Sequence, residues 1–357
     1  MRILFYISTL RGGGAARVLV NLANQFARDG FEVILVTNLS DASAYVIDSR
    51  ISTMCLNENS SNFILRNIRR ISHLRKVVAE NKPDYIVSFM TENNIRCIIS
   101  TLFLTGVQVF TSVRSDPIHE CGSGLRGSIV KKIYELSDGV ICQTPDALKW
   151  FTKKTQKKGV VIMNQIDDEF YRKKKPSIEA KNIVTAGRFV AAKNHTLLIE
   201  AFSDIADVIP ENLVIYGDGE LRNDYLNLIN KLGLSNRIFL PGVSNTMIDV
   251  YDRAKLFVLS SDYEGLPNVL MEAIVREIPC VSTDCPCGGP RLLLDEGECG
   301  KLVPVNDKSK LADAMVSLLT DEELRSSYIE KERVRKNDFY ASTIYAEWKR
   351  FITNANN

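Results

Sequence analysis

The sequence predicts two doubly wound α/β domains, each a parallel sheet covered by helices on both faces. Three observations carry this. At 357 residues the chain is too long for one ordinary core and suits two. Short β-rich runs alternate with helical patterns over residues 1–165, and the alternation restarts at 181 and runs to 335. Between the two series, Met163–Ser177 is polar and carries Arg172-Lys173-Lys174-Lys175-Pro176, a poor core segment and a good connector. Residues 166–180 therefore read as a linker.

The first series opens with a strand at Ile3–Ser8. This apolar start could mimic a short signal peptide, but Arg11 follows at once and a glycine turn leads into a helix pattern, so it reads as a buried strand. Ala15–Arg28 then places Val18, Leu19, Leu22, Ala23 and Phe26 at helical spacing. Further strands are predicted at Val33–Thr37, Tyr85–Met90, Val109–Val113 and Val140–Gln143. Ile64–Val78 is a second helix, with Arg66, Arg69, Arg70, Arg75 and Lys76 among its polar positions. The second series places strands at Ile183–Ala186, Leu213–Tyr216, Ile238–Leu240, Leu256–Ser260, Cys280–Ser282 and Lys301–Val303. Two long helical patterns close the chain. The last, within 336–357, carries Ile344, Trp348 and Phe351 and reads as a helix packing back on the first domain. No repeat at solenoid periods is visible. Sheets of this kind bind ligands at the carboxyl ends of their strands, which predicts a cleft where the two domains face one another.

Composition narrows the function classes. Apolar residues make up 45% and charged residues 25%, an ordinary globular balance. Nothing approaches the ~18 uninterrupted apolar residues of a membrane span. The stretch Cys97–Phe110 is broken by Ser100, Thr101, Thr105, Gly106 and Gln108. Eight cysteines are scattered, and only three histidines exist. Cys285-Pro286-Cys287 lacks the spacing of common zinc pairs, so no structural metal is expected and the thiols read as free, in a cytoplasmic protein. The net charge of +2 is unevenly placed: residues 1–165 hold 21 Lys and Arg against 13 Asp and Glu. Beyond solvated helix faces, this excess suggests that the first half meets something anionic, a phospholipid surface or a lipid pyrophosphate. Nucleic acid is not expected, because no aromatic-interleaved basic stripe appears.

The most informative segment is Ser260-Ser261-Asp262-Tyr263-Glu264-Gly265-Leu266-Pro267-Asn268-Val269-Leu270-Met271-Glu272-Ala273. A buried strand runs into a turn, and Pro267 suits the first turn of a helix. Such a helix start offers backbone N–H groups and a positive dipole end, a ready diphosphate site. Glu264 lies on the loop and Glu272 near the second helical turn, so the two carboxylates can address different parts of one elongated ligand. Gly187-Arg188-Phe189, then Lys193-Asn194, follow another strand and supply cations. In the first half, Arg11-Gly12-Gly13-Gly14-Ala15-Ala16 joins strand to helix, where glycines admit a ligand close to the backbone. A dinucleotide fingerprint fails there, since position 17 is Arg17 and the second strand ends in Asn38 rather than an acid.

With seven residues between them, Glu264 and Glu272 resemble the Glu-x7-Glu signature of retaining glycosyltransferases of the GT-B fold, particularly glycosyltransferase family 4. Gly187-Arg188-Phe189 with Lys193-Asn194 is similar to that family's Gly-Arg-Leu…Lys-Gly element. Tyr216-Gly217-Asp218-Gly219 resembles its Gly-Asp-Gly turn, and Pro241-Gly242-Val243 sits where the family frames the nucleobase. Met163-Asn164-Gln165-Ile166-Asp167 resembles its hinge, with Gln165 in place of the usual Gly. The resemblance implies an acceptor-binding first domain and a nucleotide-sugar-binding second domain. By matching position, Arg188 and Lys193 would hold the donor diphosphate, helped by the N–H groups of Asn268 and Val269. Glu264 would grip the sugar, Glu272 the ribose, and the loop of Gly13 and Gly14 would lie beside the phosphate and the acceptor. One departure concerns the family His at the end of a first-domain strand. The corresponding run is Thr111-Ser112-Val113-Arg114-Ser115-Asp116-Pro117, so either Arg114 replaces that His or His119 is not its equivalent. Arg114 and Asp116 are the candidate sugar or acceptor contacts there.

The resemblance therefore implies a metal-independent, retaining hexosyltransferase with no cofactor, the UDP-sugar being a substrate. Its expected acceptor is a glycan or a lipid-pyrophosphate-linked glycan in surface polysaccharide assembly, at the inner membrane face. Two rival readings stand beside it: a GT-B nucleotide-sugar epimerase, and a non-catalytic nucleotide-sugar-binding subunit.

Overall fold

The computed structural model describes residues 1–40, 42–58, 60–172 and 180–354. The chain divides into two compact units: residues 1–164 with 342–357, and residues 165–341. In the first unit the order is β1 (Arg2–Ile7), α1 (Gly14–Arg28), β2 (Glu32–Thr37), β3 (Ser52–Cys55) and α2 (Phe63–Asn81). Then come β4 (Tyr85–Phe89), α3 (Thr91–Thr101), β5 (Gln108–Ser112), α4 (Pro117–Cys121) and α5 (Gly124–Tyr134). The series ends with β6 (Gly139–Cys142), α6 (Pro145–Lys149), α7 (Lys153–Gln156) and β7 (Gly159–Val161). Its seven-stranded sheet is parallel in every recorded pair, in the order β3-β2-β1-β4-β5-β6-β7.

The second unit begins with β8 (Asn182–Ala186), α8 (His195–Ile205), β9 (Asn212–Tyr216), α9 (Arg222–Lys231) and β10 (Ile238–Gly242). It continues through α10 (Met247–Asp252), β11 (Ala254–Leu259), α11 (Asn268–Val275), β12 (Cys280–Thr283) and α12 (Gly289–Leu293). It closes with β13 (Lys301–Val303), α13 (Lys308–Thr320) and α14 (Glu322–Arg335). The sheet order is β10-β9-β8-β11-β12-β13, again parallel. Both sheets therefore reverse their winding beside the first strand, between β1 and β4 and between β8 and β11. That reversal opens a crevice beyond the strand ends, because the helices leave on opposite faces.

The strands form because Val, Ile, Leu and Phe run almost unbroken through them, as burial on both faces requires. β1 is wholly buried after Arg2, and Leu256–Leu259 of β11 are too. Two strands escaped the sequence reading: β3 and β7. Both are edge strands, neither is fully buried, β3 (Ser-Thr-Met-Cys) carries no apolar run, and β7 is only three residues long. Three helices close the chain where two patterns were predicted, since α13 and α14 are separated only by Asp321, which caps the second.

The last helix, α15 (Ala341–Thr353), returns to the first unit. Trp348 is fully buried and stacks on Phe89 with centroids 5.7 Å apart, and Ile344 and Ile352 enter the same core. Residues 166–172 of the segment read as a linker are folded into the second unit. Ile166 bridges to Tyr340, Phe170 is buried, and Tyr171 stacks on Tyr340 at 4.4 Å. The rest of that segment, including the Lys173–Lys175 run, lies outside the described residues. The cysteines are free thiols, all buried except Cys55, and burial pushes Cys97, Cys121 and Cys285 up to about 12. Among the described residues no helix is long and apolar enough to cross a membrane.

Candidate active site

Two loops leave the second sheet at its switch point, one after β8 and one after β11. They are stitched to each other. Asp262 N–H donates to the Ala192 carbonyl at 2.9 Å, the Ser260 hydroxyl to the Lys193 carbonyl at 3.0 Å, and the Asn194 amide to Asp262 Oδ1 at 2.7 Å. Asn194 can turn the chain here because it tolerates the left-handed conformation, with φ 42°, while its side chain caps α8 through Leu197 N–H. The stem of Lys193 lies against Gly187, where a Cβ would touch it at 3.5 Å.

These loops bring Lys193 and Glu264 into an ion pair, the two side chains only 19% and 12% exposed. The Ser261 hydroxyl donates to the same carboxylate oxygen at 2.7 Å. Glu264 is also held through its backbone: its N–H donates to the Pro286 carbonyl at 2.7 Å and its carbonyl accepts from Cys287 N–H at 3.0 Å. The loop Asp284–Arg291 thus braces Glu264, a role that its sequence did not announce. A Cβ at Gly289 would lie 1.8 Å from the Gly265 carbonyl, so the two loops touch backbone to backbone.

Helix α11 begins one residue later than expected. Pro267 is its N-cap, with φ −72° and ψ 108°, and no side chain caps the start. Leu270 and Met271 N–H groups turn back to the Pro267 carbonyl, and Asn268 and Val269 stand ahead of them at the positive end of the helix. Glu272 is buried one turn on, accepting from the Tyr251 hydroxyl at 2.9 Å, which also donates to the Val269 carbonyl. Arg188 is exposed at the same strand edge. Gly217 has φ 138° and packs so close that a Cβ would meet the Gly187 carbonyl at 1.8 Å, and Val243 is 74% exposed beyond β10. Phe189 N–H bonds the Asp218 carbonyl, which joins the Arg188 loop to the glycine turn.

Beneath this loop His195 is buried with Phe189 and Tyr225 edge-on to it at 5.6 and 5.7 Å. Burial, then the nearby Lys193 charge, pushes its imidazole down to about 3, so it is neutral at ordinary pH. Among the described residues no three His, Cys, Asp or Glu side chains form a group that could hold a metal ion.

In the first unit, Gly13 (φ 99°) is the N-cap of α1 after β1, and Gly14 opens that helix, both exposed. Arg114 and Asp116 follow β5. Arg114 is buried rather than presented: its guanidinium reaches Asn164 and the Ser112 hydroxyl, lies 4.7 Å over Phe89, and burial holds it down at about 10. Asp116 is also buried and caps α4, accepting from Ile118 N–H and at 2.6 Å from His119 Nδ1. Glu120, missed by the sequence reading, ties the strand ends together, accepting from Thr91 and Arg114 N–H groups at 2.9 Å. Asn38 is a buried acceptor for the Tyr6 hydroxyl, a structural role.

A family model for glycosyl transferases group 1 matches residues 167–335, and one for glycosyltransferase family 4 matches residues 12–170. The chain belongs to the group 1 glycosyltransferases. Its two parallel α/β domains are those of the GT-B fold, and the Lys193–Glu264 site lies within the group 1 match. A Campylobacter jejuni α-1,4-N-acetyl-D-galactosaminyltransferase, named for GalNAc-α-(1→4)-GalNAc-α-(1→3)-diNAcBac-PP-undecaprenol, is 28% identical over 100% of this chain and 99% of its own. The N-acetyl-α-D-glucosaminyl L-malate synthase of Bacillus anthracis is 25% identical over 74% of this glycosyltransferase and 68% of itself. Among solved structures, Anabaena HepE in complex with UDP superposes with a TM-score of 0.82, at 18% identity, over 99% of this chain and 100% of that one.

Proposed function

We propose that this glycosyltransferase moves a hexose or N-acetylhexosamine from a UDP-sugar to a lipid-linked glycan, with retention and without a divalent metal. The observation that carries the reading is the Lys193–Glu264 pair at the switch point of the second sheet, beside the open start of α11. A diphosphate seated on Asn268 and Val269 would draw Lys193 to itself, with Arg188 as the second cation. Glu264 would then turn its carboxylate to the sugar hydroxyls. Fixed cations and helix dipole meet the charge that grows on the leaving diphosphate, the work a metal does elsewhere. Glu272, oriented by Tyr251, takes the ribose hydroxyls, while the Gly217 turn and Val243 frame the base.

No enzymic nucleophile is assigned. The acceptor hydroxyl attacks the face from which the diphosphate departs, and a departing phosphate oxygen takes its proton. In the first unit, the exposed Gly13–Gly14 loop and the ring of His119, held by the buried Asp116, are the groups proposed to meet the acceptor, Arg114 being buried. The donor class is supported by the UDP bound to HepE, and the acceptor class by the undecaprenol-linked substrate in the Campylobacter name. A role in surface glycan assembly at the cytoplasmic membrane face, by a protein attached peripherally, fits that acceptor.

The test is turnover of a UDP-sugar panel with an undecaprenyl-diphosphate glycan, in excess chelator, with the product anomer read by NMR. An axial-linked product formed in chelator from an α-configured donor is expected. A requirement for Mg²⁺ or Mn²⁺, or an inverted product, would overturn the mechanism. Donor isomerised without acceptor would assign an epimerase, and donor bound but never consumed a binding subunit.

A further inference from the structure

Helices α2, α3 and α5 form one layer over the first sheet, with Leu74, Val78, Cys97, Ile98 and Ile133 on their inner side. Part of their outer side is apolar too. The first two turns of α2 leave Phe63, Ile64 and Ile68 exposed by 62%, 69% and 58%. On α5, Leu125 and Ile129 are 80% and 52% exposed and stand one turn apart, while Val130 and Tyr134 bury the opposite side. A surface helix of a water-soluble domain needs one apolar stripe; α5 has two, and only one is covered.

Cations lie on the same helices as the bare residues. Arg126 is exposed, and the Arg69 and Lys132 side chains are 51% and 74% exposed, although each lies near a carboxylate. Other basic groups of α2 are already engaged: Arg70 donates to the Glu58 carbonyl, and Arg75 to the Ser100 and Leu102 carbonyls. The charge available on this layer is thus smaller than its sequence suggests, and the apolar surface is larger.

We propose that this layer lies on an anionic bilayer, with Phe63, Ile64, Ile68, Leu125 and Ile129 entering the acyl boundary and Arg69, Arg126 and Lys132 at phosphate level. Apolar side chains with cations on the same helices match that interface, where the cations find lipid phosphates. The proposal rests on the lipid-linked acceptor reading and names the surface by which the enzyme reaches it. Binding by charge alone vanishes as salt rises, whereas inserted side chains hold.

The full chain is sedimented with phosphatidylglycerol and with phosphatidylcholine vesicles, at low salt and at about 0.5 M salt. Pelleting with phosphatidylglycerol should weaken but persist at high salt. Ile64→Ser, Leu125→Ser and Ile129→Ser should each weaken it about tenfold, with unchanged melting temperature. These variants should turn over a water-soluble short-chain acceptor as the parent does, so lost turnover there would count against the catalytic reading instead. Complete loss of binding at high salt, or serine variants that bind like the parent, overturns the insertion. A lipid-free dimer that the same variants dissociate would assign the face to a second copy and overturn it equally.

Discussion

Lys193 and Glu264 form an ion pair, and on the proposed reading a bound diphosphate draws Lys193 out of it. Glu264→Ala therefore removes the sugar grip while leaving Lys193 available, and most turnover should be lost with nucleotide affinity largely kept. Glu272→Ala should mainly weaken UDP binding. One charged or bidentate hydrogen bond is worth about 1.5–3 kcal/mol, so effects of about tenfold to a hundredfold are expected. Calorimetric titration with UDP beside steady-state kinetics separates the two; equal losses of turnover and affinity in both variants would contradict these roles. His195 makes a different kind of prediction. Its imidazole is held down at about 3 by burial, against an ordinary value of 6.5. Above pH 6.5 it is neutral folded and unfolded alike. As pH falls from 6.5 toward 3, only the unfolded chain takes the proton, so stability drops, on the order of 2 kcal/mol by about pH 5. Denaturant melts at about pH 7.5 and pH 5 should show that sensitivity reduced in His195→Phe, because the aromatic packing stays and the proton site goes.

At the scale of elements, the proposed donor site is made by loops that lean on one another. The Glu264 loop hangs from Pro286 and Cys287, and Gly265 touches Gly289 at the start of α12. Gly289→Ala would push a methyl into the Gly265 carbonyl, so one of the two backbones must move. Turnover should fall at least as far as in Glu264→Ala, and stability should fall with it. A fully active Gly289→Ala enzyme would show that the loop positions Glu264 loosely. The strand runs of the central elements were legible in the sequence because burial on both faces demands continuous apolar residues. The edge strands β3 and β7 were not, since water reaches part of each, β3 is half polar, and β7 is only three residues long.

Across the whole molecule, the chain returns from the second unit to complete the first. Trp348 is fully buried against Phe89, and Phe351 meets Phe110 at 5.6 Å. Trp348→Ala should cost about 3–5 kcal/mol, and the loss belongs to the first unit although the mutation lies near the chain's end. Hydrogen exchange that loosens β4 and β5 while leaving β8 and β11 protected would show this; uniform loosening of both sheets would contradict it.

The amino-acid sequence determined the class of fold and marked the candidate donor-site residues. The first follows from local rules, since apolar runs and helical periods define the strands and helices; the second came from motif resemblance, with Arg188, Lys193 and Glu264 on loops after strands and Glu272 on α11. Tertiary structure alone decided what each side chain meets. It paired Lys193 with Glu264 across 71 positions, and it put the loop of Cys285 and Cys287 behind Glu264. It also buried Arg114 against Asn164 and left Leu125 and Ile129 uncovered beside a covered stripe. Such outcomes depend on which distant segments arrive at one place, and periodicity along a chain carries no record of that.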